Sequence, residues 1–258
     1  MSFDLTARVE RAKQGRRGLT LIELIVVLVI LVGLGGLLVP TISNALSRTH
    51  VATCATSFPE VHQMIQRRLA ETFDIGTGFD TAVTTAGAAV NSSGGTLTIR
   101  TLDANEVAAL SALGITTVFD SDPTVAGYNP TFSIGATSET VAVGTQVIEL
   151  TDAQAQSIFL PTDNGEIYIW LGIGRTWTGL SELAPEPPTH FGDTNGVLPD
   201  QAYSRFGLVI QLGENDNAAT PAFEAFEQAE YKRVSYSLDG DAFETGDNHI
   251  EVYWEDVQ

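Results

Sequence analysis

The sequence predicts an α+β protein: one long N-terminal helix, with a membrane half and a soluble half, packed on an antiparallel β-sheet domain. Three observations predict this fold. An apolar run extends from Leu19 to Val39, and an amphipathic helical pattern follows it as far as residue 73. Beyond residue 73, short runs of alternating apolar and polar residues are separated by turn residues, which is typical of strands.

The charge distribution separates a basic head from an acidic body. The 258 residues include 13 Lys and Arg against 32 Asp and Glu, a net charge of −19. Residues 1–18 hold five basic and two acidic residues, a charge of +3, so the other 240 residues carry −22. Such a body repels a phosphate backbone, and we therefore expect no nucleic-acid partner. Because Cys54 is the only cysteine, an intrachain disulfide is excluded.

Residues 1–18 form a basic head, and residues 19–40 are predicted to be a transmembrane helix. As a helix, the 21 residues from Leu19 to Val39 reach about 30 Å, the thickness of the hydrocarbon core of a bilayer. Five basic residues precede the run, so the positive-inside rule puts the N-terminus in the cytoplasm and the body outside. Pro40, together with glycines at 33, 35 and 36, predicts a kink at the outer end of this helix.

Three interpretations of the apolar run compete. It could be an uncut single-pass anchor, or a secretory signal peptide cleaved after Ser43-Asn44-Ala45. Against the second, the apolar core of a signal peptide usually has about 7–15 residues. Neither interpretation explains Glu23, because a carboxylate in an apolar span costs about 2–3 kcal/mol. The third interpretation follows from the residues around that glutamate.

The nine residues Arg16-Arg17-Gly18-Leu19-Thr20-Leu21-Ile22-Glu23-Leu24 closely resemble the N-terminus of type IV prepilins and of type II secretion pseudopilins. The resemblance covers about the first 55 residues and implies that a prepilin peptidase cuts between Gly18 and Leu19. Residues 1–18 would then be a basic leader peptide, and the transmembrane helix at residues 19–40 would also be the assembly helix. Leu19 would then be the N-methylated first residue, although phenylalanine is commoner there in the family, and the leader is longer than in many members. Glu23 would be the fifth residue, which the family uses in methylation and in pairing with the N-terminal amine of a neighbouring subunit.

The resemblance also implies the pilin fold, a function and a set of partners. The expected function is a filament subunit, a minor pilin or pseudopilin, of a type IV pilus or a type II secretion system. The expected partners are the prepilin peptidase, other pilin subunits, membrane lipid, and an inner-membrane platform driven by an assembly ATPase. The expected location is the bacterial inner membrane and, after assembly, a periplasmic or cell-surface filament. The alternative is an anchored or secreted β-rich binding domain that does not assemble.

Residues 41–73 are predicted to form a soluble helix with a kink near Pro59. Ser57 is placed to cap a fresh first turn at that proline. Beyond it, apolar residues recur with helical spacing, which predicts a stripe that packs on the globular domain: Val61, Met64, Ile65, Leu69 and Phe73.

Residues 74–258 are predicted to be an acidic, β-rich globular domain, and its size for the family predicts long inserted loops. A capping-box pattern at Asp103–Glu106 predicts a short helix to Leu113, and Phe223–Tyr231 is a second helix candidate. The predicted strands are 96–100, 141–150, 166–170, 206–212, 234–238 and 250–254.

Motifs for catalysis are absent from the sequence, so we do not expect an enzyme. We interpret His50, Cys54 and His62 as solvated or subunit-interface residues, because Pro59 separates them and zinc usually takes a fourth ligand. No cofactor is expected except a possible calcium ion, for which carboxylates are suitable ligands. The candidate site has four acidic residues, whose spacing fails the EF-hand pattern and which solvated turn acids would also explain: Asp239, Asp241, Glu244 and Asp247.

Overall fold

A computed structural model describes residues 20–90, 97–127, 137–179, 205–214 and 224–235. It covers the side chains at all of these positions except 35, 37–55 and 157. Contacts along the chain divide it into two compact units, residues 1–47 and residues 48–258. Helix α1, Leu21–Thr72, contributes to both units.

Helix α1 has 52 residues and continues through both Pro40 and Pro59. Pro59 is therefore not the first turn of a separate helix, and that part of the sequence interpretation is wrong. In the N-terminal unit the described apolar side chains from Leu21 to Leu34 are all 50–78% exposed, so this stretch presents an apolar surface on every side. Within the described part of the chain, no helix combines the length and the apolar character needed to cross a membrane.

The C-terminal unit contains two shorter helices and a mixed sheet. Helix α2 is Ala104–Ala112 and helix α3 is Asp152–Ser157. The described strands are β1 Phe79–Thr84, β2 Thr98–Thr101, β3 Thr117–Ser121, β4 Thr137–Thr140, β5 Gln146–Glu149, β6 Ile167–Gly172, β7 Gly207–Glu214 and β8 Glu224–Ser235.

The sheet is antiparallel except at one pair of strands. Its order is β2-β5-β6-β1-β3-β4, and β7 lies between β6 and β8. Strand β6 pairs with β7 along one edge and with both β5 and β1 along the other. The parallel pair is β1 with β3, which β2 and α2 separate in sequence. The prediction of a mixed fold with a mainly antiparallel sheet is therefore confirmed, while the parallel pair was not predicted.

One face of the sheet is covered by the C-terminal part of α1 and by α2. Val61 and Ile65 of α1 are buried there, and Met64 and Leu69 pack at the margin of the same cluster. The predicted apolar stripe is thus confirmed at four of its five positions. Phe73 differs: it follows the end of α1 with a positive φ of 60° and is 78% exposed.

The opposite face carries a second core under α3. Tyr168 and Trp170 of β6 belong to this cluster, whereas Ile169 and Leu171 belong to the first. This alternation follows from the two-residue period of a strand and gives β6 a buried side chain on both faces. Gly207 of β7 faces Trp170 so closely that a Cβ there would lie 2.0 Å from the indole, which excludes any larger residue.

Several element predictions are confirmed and one is wrong. Strands lie at the predicted 96–100, 166–170 and 206–212, and α2 begins at the predicted capping box. The predicted strand 141–150 is shorter, because a turn at 143–144 precedes β5. The predicted helix 223–231 is wrong, since residues 224–235 form β8 and pair with β7. The predicted strand 250–254 lies outside the described residues.

Candidate functional site

Glu23 closes the N-terminal turn of α1 through reciprocal hydrogen bonds with Thr20. The Thr20 amide and hydroxyl both donate to Glu23 Oε2 at 2.8 Å. In return, the Glu23 amide donates to Thr20 Oγ1 at 3.3 Å. This is the geometry of a capping box, which satisfies amides that the first turn of a helix leaves without intrahelical acceptors. A carboxylate at this end also interacts favourably with the helix dipole.

The cap places a carboxylate among exposed apolar side chains. Ile22, Val26 and Val27 flank Glu23, and each of them is at least half exposed. The carboxylate is itself exposed, and its bonds to Thr20 fix its orientation at the first turn of α1.

The sequence-predicted site residues fall partly outside the described chain. Gly18 and Leu19 lie outside it, and so do the four calcium candidates between 239 and 247. Pro40 lies within α1, and its side chain is not among those described. Thr20 was missed as a partner of Glu23, although the spacing Thr20-x-x-Glu23 is itself the sequence signature of a capping box.

The body has a polar cavity of about 400 Å³ where β3 and β4 approach two turns. Asp120 and Glu139 are the acidic residues of its lining, which otherwise consists mainly of threonine side chains and the turn at 142–144. Burial, with the nearby negative charge of Glu139, raises the pKa of Asp120 to about 6. The residues that line the cavity include no basic side chain. Within the described part of the chain, no three His, Cys, Asp or Glu residues are grouped so that they could hold a metal ion.

A buried ion pair lies near this cavity. Arg205 Nη2 donates to Asp80 Oδ2 at 2.8 Å, and both side chains are fully buried. Asp80 Oδ1 accepts from the Ala82 amide at 2.6 Å and from Ser121 Oγ at 2.9 Å. The pair thus joins β1, β3 and the residues just before β7.

A histidine contact joins α1 to β8 within the C-terminal unit. His62 Nδ1 lies 2.5 Å from the hydroxyl of Tyr231, and the ring centroids are 5.6 Å apart. Burial and the positive charge of Arg233 lower the pKa of His62. Sequence reasoning placed His62 at a surface or an interface and had no means of finding this contact, because 169 residues separate the partners.

Among the described residues, the N-terminal stretch of α1 presents exposed apolar side chains and one capped carboxylate, and the sheet belongs to the C-terminal unit. Residues 13–38 match the prokaryotic N-terminal methylation motif, the cleavage and methylation motif of type IV prepilins and pseudopilins. The match is confined to residues 13–38, and it supports a pilin-like precursor of the kind that a prepilin peptidase processes. No curated protein and no solved structure matches the chain.

Proposed function

We propose that this protein is a filament subunit, a minor pilin or pseudopilin of a type IV pilus or a type II secretion system. The observation that carries the proposal is the methylation motif at residues 13–38. It is supported by the all-round apolar surface of α1 from Leu21 to Leu34, which suits lipid before assembly and neighbouring helices afterwards. The size of the body and its charge favour a minor subunit, because many closely stacked copies carrying −22 each would repel one another.

Processing adds a positive charge to the N-terminal end of α1, where it can pair with a neighbouring subunit. Hydrolysis of the Gly18–Leu19 peptide bond releases a new ammonium group on Leu19, which the peptidase then methylates. An isolated charge in an apolar filament core costs several kcal/mol, whereas a well-placed ion pair approaches neutrality. Glu23 of one subunit and the Leu19 amine of its neighbour form that pair, so a subunit that enters out of register leaves both charges unpaired.

The remaining partners and the location follow from this function. The precursor lies in the bacterial inner membrane with the leader in the cytoplasm and the body outside. A membrane platform and its cytoplasmic ATPase then draw the processed subunit into a periplasmic or cell-surface filament with its sister subunits. Neither nucleic acid nor a catalytic cofactor takes part.

The proposal is tested by the intact mass and N-terminal sequence of protein extracted from membranes. The expected product begins at Leu19 and is one methyl group heavier than its sequence. A product beginning at Leu46 would make the chain a secreted domain, and an uncut chain would make it a simple anchor. Either result would overturn the filament function. A Gly18→Ala variant expressed in the same cells serves as the control that blocks processing.

A further inference from the structure

We propose that the contact between His62 and Tyr231 is an acid-sensitive latch that holds the C-terminal part of α1 against β8. The contact joins two elements of the C-terminal unit at 2.5 Å between Nδ1 and the hydroxyl oxygen. On the same helix, Val61 and Ile65 are buried in the core, whereas His62 lies at its half-exposed margin. The latch therefore lies where water can enter first when the helix begins to separate from the sheet.

Either protonation state of the imidazole can form this hydrogen bond, but only the neutral ring forms it without placing a positive charge in a partly buried site. With the proton on Nε2, Nδ1 accepts from the hydroxyl of Tyr231. Burial raises the pKa of Tyr231, so the phenol keeps its proton throughout the relevant range and supplies no negative charge. When His62 is protonated, Nδ1 becomes a donor and a half-buried positive charge faces a neutral hydroxyl.

The charges around His62 oppose its protonation. Burial is the larger cause of its lowered pKa, and the positive charge of Arg233 in β8 adds to it. Arg233 lies beyond a bulge, opposite Val209, and donates to the Ile158 carbonyl oxygen on the other face of the sheet. On α1 itself, the neighbours one turn away, Phe58 and Gln66, do not ionise.

The difference between the pKa of His62 in the packed and detached states determines how pH changes the packing of α1 on β8. The pKa of His62 is lower in the packed state than its ordinary value of 6.5, so a helix detached from β8 binds the proton more tightly. The contribution of His62 to packing is complete above pH 6.5 and is lost as pH falls through its lowered pKa. Acid therefore shifts the population towards a detached helix, in which Val61 and Ile65 also leave the first core, while the core under α3 keeps its packing.

The test is hydrogen exchange of full-length protein in detergent at about pH 7.5 and about pH 5, which bracket the ordinary histidine pKa. After correction for intrinsic rates, amides between 58 and 70 are expected to exchange several-fold faster at the acid pH. His62→Gln keeps a hydrogen-bond acceptor but cannot titrate, so its exchange should be the same at both values. His50→Gln, on the same helix, is the matched control and should keep the acid response.

Three results would overturn the proposal: no acid response in the natural protein, a response that survives in His62→Gln, or one that His50→Gln abolishes. An independent measurement is the NMR titration of the four histidine rings. The His62 signal is assigned by its absence from His62→Gln or, if that variant does not fold, by elimination with the three other histidine variants. A His62 midpoint below 6.5 supports the latch, and a midpoint at or above 6.5 refutes it.

Discussion

Asp80 and Arg205, 125 residues apart in sequence, form an ion pair in which neither side chain reaches solvent. The pair is 2.8 Å long, and Asp80 uses its second oxygen to accept from the Ala82 amide and from Ser121. Two charges buried in this way are tolerated because each compensates the other. Removing one of them leaves the other buried without its counterpart.

Arg205→Met should therefore lower the free energy of unfolding by about 3–5 kcal/mol. Chemical denaturation of full-length protein in detergent measures the change. Arg67→Met is the matched control, because the Arg67–Glu71 pair is 2.7 Å long but more than half exposed at both side chains. Exposed pairs contribute little, so this variant should unfold close to the natural protein. If Arg205→Met and Arg67→Met lost equal free energies of unfolding, burial would not determine how much the Asp80–Arg205 pair contributes to stability.

Asp120 should titrate with a midpoint near 6, because burial and Glu139 both raise its pKa. NMR of carboxyl carbons in labelled protein measures the midpoint. Glu139→Gln removes the neighbouring negative charge and should lower the midpoint of Asp120, while burial still holds it above 3.8. The exposed Asp163→Asn change gives a similar loss of charge away from the cavity and should leave the midpoint unchanged.

The raised pKa of Asp120 also predicts the pH dependence of stability. Its folded-state pKa exceeds the unfolded value of 3.8, so its stabilising contribution is complete below pH 3.8 and is lost as pH rises through about 6. Asp120→Asn imitates the protonated form and should raise the melting temperature at pH 7. The difference should disappear below pH 3.8, and a variant that is less stable at pH 7 would contradict this account.

The capping box of α2 should be worth about 1 kcal/mol. Asp103 Oδ1 accepts from the amides of Asn105 and Glu106 at 2.8 and 2.9 Å, and Glu106 Oε2 accepts from the Asp103 amide at 2.9 Å. Asp103→Ala removes the first two bonds and should destabilise the protein by about that amount in denaturant titrations. Asp103→Asn retains a capping oxygen and should lose only a fraction of that free energy of unfolding. Equal losses in the alanine and asparagine variants would show that the charge of Asp103, and not its capping hydrogen bonds, stabilises the helix.

Phe73→Gly should stabilise the protein by about 0.5–1 kcal/mol, although it deletes an aromatic ring. Phe73 has a φ of 60° just after α1 ends, a position at which glycine is favoured, and its side chain is 78% exposed. Phe73→Ala is the control, since it removes the ring but keeps the Cβ that causes the strain. If alanine stabilises as much as glycine, the exposed ring and not the backbone is responsible.

Glu23 has two separable roles, as a local cap and as a charge. Glu23→Gln keeps an oxygen that can accept from Thr20 but removes the negative charge, whereas Glu23→Ala removes both. If pairing with the Leu19 amine drives assembly, both variants should fail to enter filaments while cleavage at Gly18 continues. Co-purification with filaments, alongside the N-terminal sequence of each variant, measures the two steps. Assembly of the glutamine variant would show that capping alone suffices.

Local signals in the sequence predicted the elements that local chemistry decides. The capping residues Asp103 and Glu106 fixed the start of α2, and alternation at 166–170 identified β6. The helix prediction for residues 223–231 is wrong because Ala, Glu and Gln favour a helix by local propensity. Pairing with β7 overrides that preference, and two register shifts in the ladder accommodate it.

Long-range relationships could not be predicted in the same way. The Asp80–Arg205 pair, the His62–Tyr231 contact and the parallel pairing of β1 with β3 connect distant parts of the chain and leave no spacing pattern. At the N-terminal site, by contrast, both the motif and the Thr20–Glu23 cap are formed by residues close together in sequence. Sequence reasoning found the first and overlooked the second, because the glutamate was considered only as a charge.

Because Asp80 and Arg205 are far apart in sequence, their ion pair can form only late in the synthesis of the chain. A chain that emerges N-terminus first presents Asp80 long before its partner, which follows only when 205 of the 258 residues have emerged. Strand β6 must likewise wait for β7, so neither the central strand nor the buried charge can be completed early. Such non-local topologies fold slowly. The body therefore cannot complete its central sheet or neutralise Asp80 until Arg205 and strand β7 have been synthesised.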